Sequence, residues 1–237
     1  MAKIKTVLFD LDGTLLPMDQ DVFVKSYFGF LAKLLAPHGY EPKKLIDSIW
    51  QGTKAMVTNN GEMLNADRFW QVFGEIYGEK GLNDTPLFEK FYREDFQKVK
   101  DVCGFNSKAG EVVKRLKDAG VNLVLATNPI FPEIATLSRI GWAGLDPKDF
   151  SFITVYENSS FCKPNRKYYQ EIIEKLSLDP SSCLMVGNDV DEDMVCKDLG
   201  MQVFLLTDCL INKQNVDISV YEKGDFDKLN EYLDTVL

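Results

Sequence analysis

Ile4-Lys5-Thr6-Val7-Leu8-Phe9-Asp10-Leu11-Asp12-Gly13-Thr14-Leu15 is an apolar run that ends in two carboxylates, a glycine and a threonine. Val7, Leu8 and Phe9 favour an enclosed, pleated segment, and Gly13 permits a sharp exit from it. The order therefore carries an acidic pair to the tip of a buried strand. Carboxylates there lose solvation unless a positive charge sits between them, and a divalent metal is the common solution. Asp12-Gly13 alone reads better as a solvated turn, and the partners downstream reverse that reading.

Those partners come from an alternating pattern. Val121 to Ala126, Phe150 to Val155, Cys183 to Val186 and Met201 to Leu206 read as strands. Between them, helices are predicted from Ser107 as cap through Val112, Val113 and Leu116 to Gly120, and through Ile134 and Leu137 to Gly141. Others are predicted over Lys167 to Leu176, over Asp191 to Leu199 with Gly200 as stop, and over Phe226 to Leu233. Strands alternating with helices across short turns specify an α/β fold, a doubly wound parallel sheet covered on both faces. Thr207 to Gly224 has weak pattern and reads as irregular.

From 17 to 100 the character changes. Val22, Phe23, Tyr27, Phe30, Leu31, Leu34 and Leu35 recur at helical spacing until Pro37-His38-Gly39. Pro42 opens a second helix, Asn65 caps a third, and Thr85-Pro86 supplies cap and first residue of a fourth. This stretch is aromatic-rich and has no strand signal. The expected organisation is a core of residues 1–16 and 101–237 with an inserted all-helical domain at 17–100.

Composition bounds the partners. The 237 residues are 45% hydrophobic, enough for a sizeable core, and the net charge of −9 without a basic cluster argues against nucleic acid. No apolar run suits a signal peptide or a bilayer span. Five scattered cysteines with no C-x-x-C fit reduced thiols, hence a cytoplasmic chain, expected as monomer or homodimer. His38 is the only histidine, which excludes a histidine-based triad or a multi-histidine metal centre. Catalysis must rest on carboxylates, lysine and hydroxyls.

In an open α/β sheet the ligand site lies beyond the carboxyl ends of the strands. At or shortly beyond the strand ends come Asp10/Asp12, Thr127-Asn128, Lys163, and Asn188/Asp189 with Asp191 and Asp193. Each has an ordinary reading by itself: Thr127 a helix cap, Lys163 a surface lysine before Pro164, the acidic run a helix start that complements its dipole. Together they are the parts for phosphoryl transfer with magnesium.

Asp10-Leu11-Asp12-Gly13-Thr14, Thr127-Asn128, Lys163-Pro164 and Gly187-Asn188-Asp189 with Asp193 resemble the four motifs of the haloacid dehalogenase superfamily. The likeness is to the phosphatase branch with a helical (C1-type) cap after the first motif, and it covers nearly the whole chain. The fourth motif departs from the commoner Gly-Asp form, with Asn188 directly after the glycine. The resemblance implies Asp10 as nucleophile forming an aspartyl-phosphate, and Asp12 as the acid, then base, that serves the leaving oxygen and the hydrolytic water. It implies Mg²⁺ held by Asp10, the Asp12 carbonyl and Asp189, with Thr127, Asn128 and Lys163 binding the phosphoryl group and Asp193 supporting from a second position.

Because dehalogenases of this superfamily lack the second aspartate, the resemblance favours hydrolysis of a small phosphorylated metabolite. A phosphomutase is the nearest alternative; a signalling receiver domain and a phosphate-binding protein without turnover are further ones. In the insertion, Lys25, Lys54, Arg68, Trp50, Phe69 and Trp70 are candidate substrate contacts, though the aromatics are expected mainly to form the insertion's own core and the cations to be solvated.

Overall fold

The computed structural model describes residues 3–237. Six parallel strands form one sheet in the order β3-β2-β1-β4-β5-β6: β1 Thr6–Phe9, β2 Asn122–Leu125, β3 Phe152–Ile153, β4 Cys183–Gly187, β5 Gln202–Leu206 and β6 Glu222–Gly224. β1 is central, paired with β2 through Phe9 to Leu125 and with β4 through Phe9 to Val186. All four of its residues are buried, as a strand covered on both faces requires.

Alternation along the strands sorts side chains into two apolar clusters. Val7, Phe9, Leu125 and Val186 face one, which includes Val112 and Leu116 of helix α6 (Ser107–Asp118), Ile140 of α7 (Glu133–Trp142) and Leu229 of α9 (Phe226–Val236). Leu8, Val124, Met185 and Leu205 face the other, with Tyr168 and Ile172 of α8 (Arg166–Leu176) and Met194 and Cys196. Helices on both faces make the sheet doubly wound, as expected from the sequence.

Residues 20–102 are helical: α1 Gln20–Leu35, α2 Pro42–Val57, α3 Asn65–Tyr77, α4 Glu79–Asn83, α5 Thr85–Arg93 and 3₁₀ turns ending at Val102. A bridge between Met18 and Cys103 closes the point where this stretch leaves and rejoins the sheet. Leu31, Phe73, Phe91 and Phe96 join the same cluster as Val7 and Phe9. Among the described residues, no helix is long and apolar enough to cross a membrane.

Several local expectations are corrected. Asn65 is the first residue of α3 rather than its cap: its side chain is fully buried and donates to the Pro129 and Phe161 carbonyls at 3.3 Å. The free N–H groups of that helix end go instead to Ser159 and Tyr156 carbonyls, both at 2.8 Å, which docks α3 onto the α/β core. Thr85 and Ser107 likewise open their helices one residue after the capping position; Asn106 caps α6 through its side chain. The helix expected over Asp191–Leu199 shrinks to a 3₁₀ turn, Met194–Leu199. Asp189 accepts from the Asp191 and Glu192 N–H groups and Asp193 from the Asp189 N–H, so side chains take bonds that a helix would need. β6 lies in the stretch expected to be irregular; its Glu-Lys-Gly sequence is that of a polar edge strand.

Candidate active site

The sheet order reverses at β1, so a crevice opens beyond the ends of β1, β2 and β4. Asp10 continues the ladder there, its N–H donating to Val186 O at 2.9 Å while Phe9 O accepts from Ala126 N at 2.7 Å. A cavity of about 140 Å³ occupies the crevice. Of the six residues selected from sequence, Asp10, Asp12, Thr127, Asn128 and Asp189 line it, and Lys163 is bonded to one of them.

Asp10 is held from two sides. Oδ1 accepts from Lys163 Nζ at 2.8 Å and Oδ2 from the Thr14 hydroxyl at 3.0 Å. Thr14 also lies 2.9 Å from Asn188 Oδ1, and Asn188 Nδ2 donates to Cys209 O at 2.6 Å. Gly13, at φ +85°, lies against this amide: a Cβ there would fall 2.4 Å from Asn188 Nδ2. Glycine is needed on both counts.

Lys163 is buried, with Asp193 Oδ1 at 2.6 Å as its second carboxylate. Burial works to lower the lysine, but Asp10 and Asp193 outweigh it and hold the ammonium well above its usual range. Burial pushes Asp193 up to about 6, with Lys163 opposing and Asp10 adding. Its Oδ2 would meet a Cβ on Gly187 at 2.1 Å, so Gly187 makes room for the carboxylate that secures the lysine.

A model of the haloacid dehalogenase-like hydrolase family matches residues 4–195, which contain Asp10, Asp12, Thr14, Thr127, Asn128, Lys163, Asn188, Asp189 and Asp193. The chain belongs to the haloacid dehalogenase-like hydrolases. A phosphoglycolate phosphatase of Vibrio vulnificus (strain YJ016) is 27% identical over 242 residues, covering 99% of this chain and 97% of its own. The structure of a haloacid dehalogenase phosphatase from Thermococcus onnurineus superposes with TM-score 0.59 at 18% identity over 97% of this chain and 98% of that one. A 2-haloacid dehalogenase from Pseudomonas syringae pv. Tomato DC3000 superposes with TM-score 0.65, also at 18% identity, over 98% and 99%. Phosphatase and dehalogenase thus share the fold, and the side chains must distinguish them.

This hydrolase carries residues at the site that motif reading missed. Arg139 on α7 is buried and bonded to Asp12 Oδ2, while its Nε and Nη2 reach Ala135 O at 3.3 Å and Thr136 Oγ1 at 3.2 Å. Its guanidinium lies 4.5 Å from the Phe131 ring centre. Burial raises the Asp12 carboxyl above its usual range, Arg139 pulls it back and Asp10 pushes it further up. Glu192, also lining the cavity, accepts from Asn128 Nδ2 at 3.1 Å and is pushed up to about 7, chiefly by burial. An arginine amid helical apolar spacing has no sequence signal for such a partner.

Three features bear on a cation. Asp189 Oδ1 is used by main-chain N–H groups, while Oδ2 has no hydrogen-bond partner among the described residues. The Asp12 carbonyl also accepts no hydrogen bond there, and Asp10 lines the same cavity. No group of three or more His, Cys, Asp or Glu side chains is arranged to hold a metal among the described residues. Two carboxylates and a main-chain carbonyl form a mixed oxygen set, which suits a hard divalent cation that keeps several waters. Thr127 and Asn128 line the cavity as well; among the described residues the Thr127 side-chain hydroxyl makes no hydrogen bond and Asn128 Oδ1 is buried without a partner.

Proposed function

We propose that this enzyme is a Mg²⁺-dependent phosphatase that hydrolyses a small phosphomonoester through an aspartyl-phosphate on Asp10. The observation that carries the reading is the pair Asp10 and Asp12 on one cavity wall in opposite settings. Asp10 accepts from the Lys163 ammonium and the Thr14 hydroxyl, while burial raises the Asp12 carboxyl above its usual range. Phosphoryl transfer needs an acid beside its nucleophile, whereas a halide leaving group needs none.

An Asp10 oxygen attacks phosphorus as the bond to the leaving oxygen breaks, and Asp12 gives that oxygen its proton. Asp12, now a carboxylate, takes a proton from the water that attacks the phosphorus of the aspartyl-phosphate; the bond to Asp10 breaks, phosphate is released, and Asp10 is again the nucleophile and Asp12 the acid. Thr127 and Asn128 orient the phosphoryl oxygens. Lys163, paired with Asp193, balances the charge of Asp10 and keeps its carboxylate aimed into the cavity. Asp10, the Asp12 carbonyl and Asp189 would hold Mg²⁺, which would supply positive charge to offset that of the phosphoryl group. Residues 17–100 serve as a cap: Gln20, Phe23 and Val24 of α1 line the cavity from that side and limit access of water and large substrates. The phosphatase named among the relatives supports the reaction class, and five free thiols suit a cytoplasmic setting.

The test is hydrolysis of p-nitrophenyl phosphate by the purified protein with Mg²⁺. Asp10→Asn is expected to lower kcat at least about 10³-fold with an unchanged circular dichroism spectrum; retained turnover would overturn the mechanism.

A further inference from the structure

A second, larger cavity of about 360 Å³ adjoins the one at Asp10, with Val24, Ile130 and Phe131 in the walls of both. Its volume is that of a small-molecule site. The lining is aromatic: Tyr27, Trp50, Phe69, Trp70, Phe88 and Tyr92 contribute rings. Several of its polar atoms already have partners. The Tyr27 and Tyr92 hydroxyls lie 3.0 Å apart, Trp70 Nε1 donates to the Tyr156 hydroxyl at 3.4 Å, and the Thr85 hydroxyl donates to Leu82 O at 2.7 Å.

The charges point the same way. Arg93 is the one cation on this lining among the described residues, and it sits 3.7 Å from Glu89. Glu133 and Glu157 complete an acidic rim. Lys25, Lys54 and Arg68, the basic residues that sequence offered as contacts, line neither cavity. An anionic leaving group would meet carboxylates with no free ammonium or guanidinium to balance it. A sugar would find few unpaired donors for its hydroxyls.

We infer that this cavity receives the leaving group of the substrate, and that the group carries an uncharged aromatic ring system. The inference rests on the phosphatase reading above and narrows its substrate class. Rings buried against rings gain from area and from edge-to-face geometry, and they ask little of polar partners. The carboxylate of phosphoglycolate, the substrate in the name of the Vibrio relative, has no matching charge here.

The test compares ethyl phosphate, 2-(2-naphthyl)ethyl phosphate and phosphoglycolate with the Mg²⁺-loaded enzyme; the first two differ in the ring while both leave as primary alcohols. The naphthyl ester is expected to exceed the other two in kcat/KM by about 100-fold. Equal values, or preference for phosphoglycolate, overturn the inference while leaving the phosphatase reading intact. Calorimetric binding of 2-(2-naphthyl)ethanol separates the two readings. Binding that is lost in Trp50→Ala supports the cavity assignment, and no binding to the wild type overturns it. If the alcohol binds but neither the three esters nor p-nitrophenyl phosphate is hydrolysed, the cavity's selection of an aromatic ring stands, while the phosphatase reading and with it the leaving-group role fall.

Discussion

Arg139 donates to Oδ2 of Asp12, and the guanidinium is only 1% exposed while the carboxylate keeps 21% of its surface open. The carboxyl proposed to exchange protons with leaving group and water is thus gripped on one oxygen. Its other oxygen, Oδ1, has no hydrogen-bond partner among the described residues. The arginine is itself fixed by α7 and by the Phe131 ring, so it acts as a positioning residue for Asp12 and tempers the effect of burial on its proton affinity.

That arrangement predicts a pH effect for Arg139→Gln. Removing the cation removes the influence that lowers the Asp12 carboxyl, so Asp12 stays protonated to higher pH. In the proposed mechanism the first chemical step needs the protonated form, and kcat/KM reports that step. The alkaline limb of the kcat/KM profile is expected to move up by about 1 pH unit. A limb that stays in place, with activity uniformly reduced, would assign Arg139 a packing role only.

Thr14 links the acid on β1 to the loop after β4, reaching Asp10 Oδ2 and Asn188 Oδ1 with one hydroxyl. Thr14→Val keeps the shape and deletes the hydrogen bond. The expected loss is about 1 kcal/mol of stability by urea denaturation. A roughly 10-fold fall in kcat with little change in KM should accompany it, because the orientation of Asp10 matters more to the transition state than to binding. An equal rise in KM would place Thr14 in substrate binding instead.

The first strand and its acids were legible because a buried central strand has to be continuously apolar, and Asp10 and Asp12 break that run at its end. Lys163 was legible only through its place in the order of motifs; nothing local distinguishes it from a surface lysine, yet it is buried between Asp10 and Asp193. Arg139 was not legible, since its partner lies 127 residues away. β6 escaped because Glu222, Lys223 and Gly224 form an edge strand through main-chain bonds to β5, with no apolar side chain to announce it. Trp50, expected as interior to the helical stretch, is 49% exposed on the larger cavity; periodicity gives the apolar face of α2 but not whether another helix or an opening meets it.

Glu192 makes stability depend on pH. Its folded-state value of about 7 lies above the usual 4.5. Over that interval the folded protein keeps a proton that the unfolded chain has released. The contribution of Glu192 to stability is therefore largest below pH 4.5 and is lost as pH rises through 7. In EDTA, the urea midpoint of the wild type is expected to fall relative to that of Glu192→Gln across this window, since glutamine preserves the acceptor for Asn128 without the titration. Parallel midpoint curves would contradict the buried setting of the carboxyl.

Asp189 gives the most direct test of the cation site. Its Oδ1 organises the turn by accepting from the Asp191 and Glu192 N–H groups, leaving Oδ2 without a protein partner among the described residues. Asp189→Asn can keep Oδ1 as acceptor while placing an amide nitrogen, a donor, where the free oxygen stood. The turn should survive and the cation should not be held as well, because a hard divalent ion takes oxygen ligands. The Mg²⁺ concentration for half-maximal activity is expected to rise at least about 10-fold, with thermal stability in EDTA within about 1 kcal/mol of the wild type. An unchanged Mg²⁺ requirement would remove Asp189 from the ligand set. A large loss of stability in EDTA would instead show that its carboxylate is needed for the turn itself.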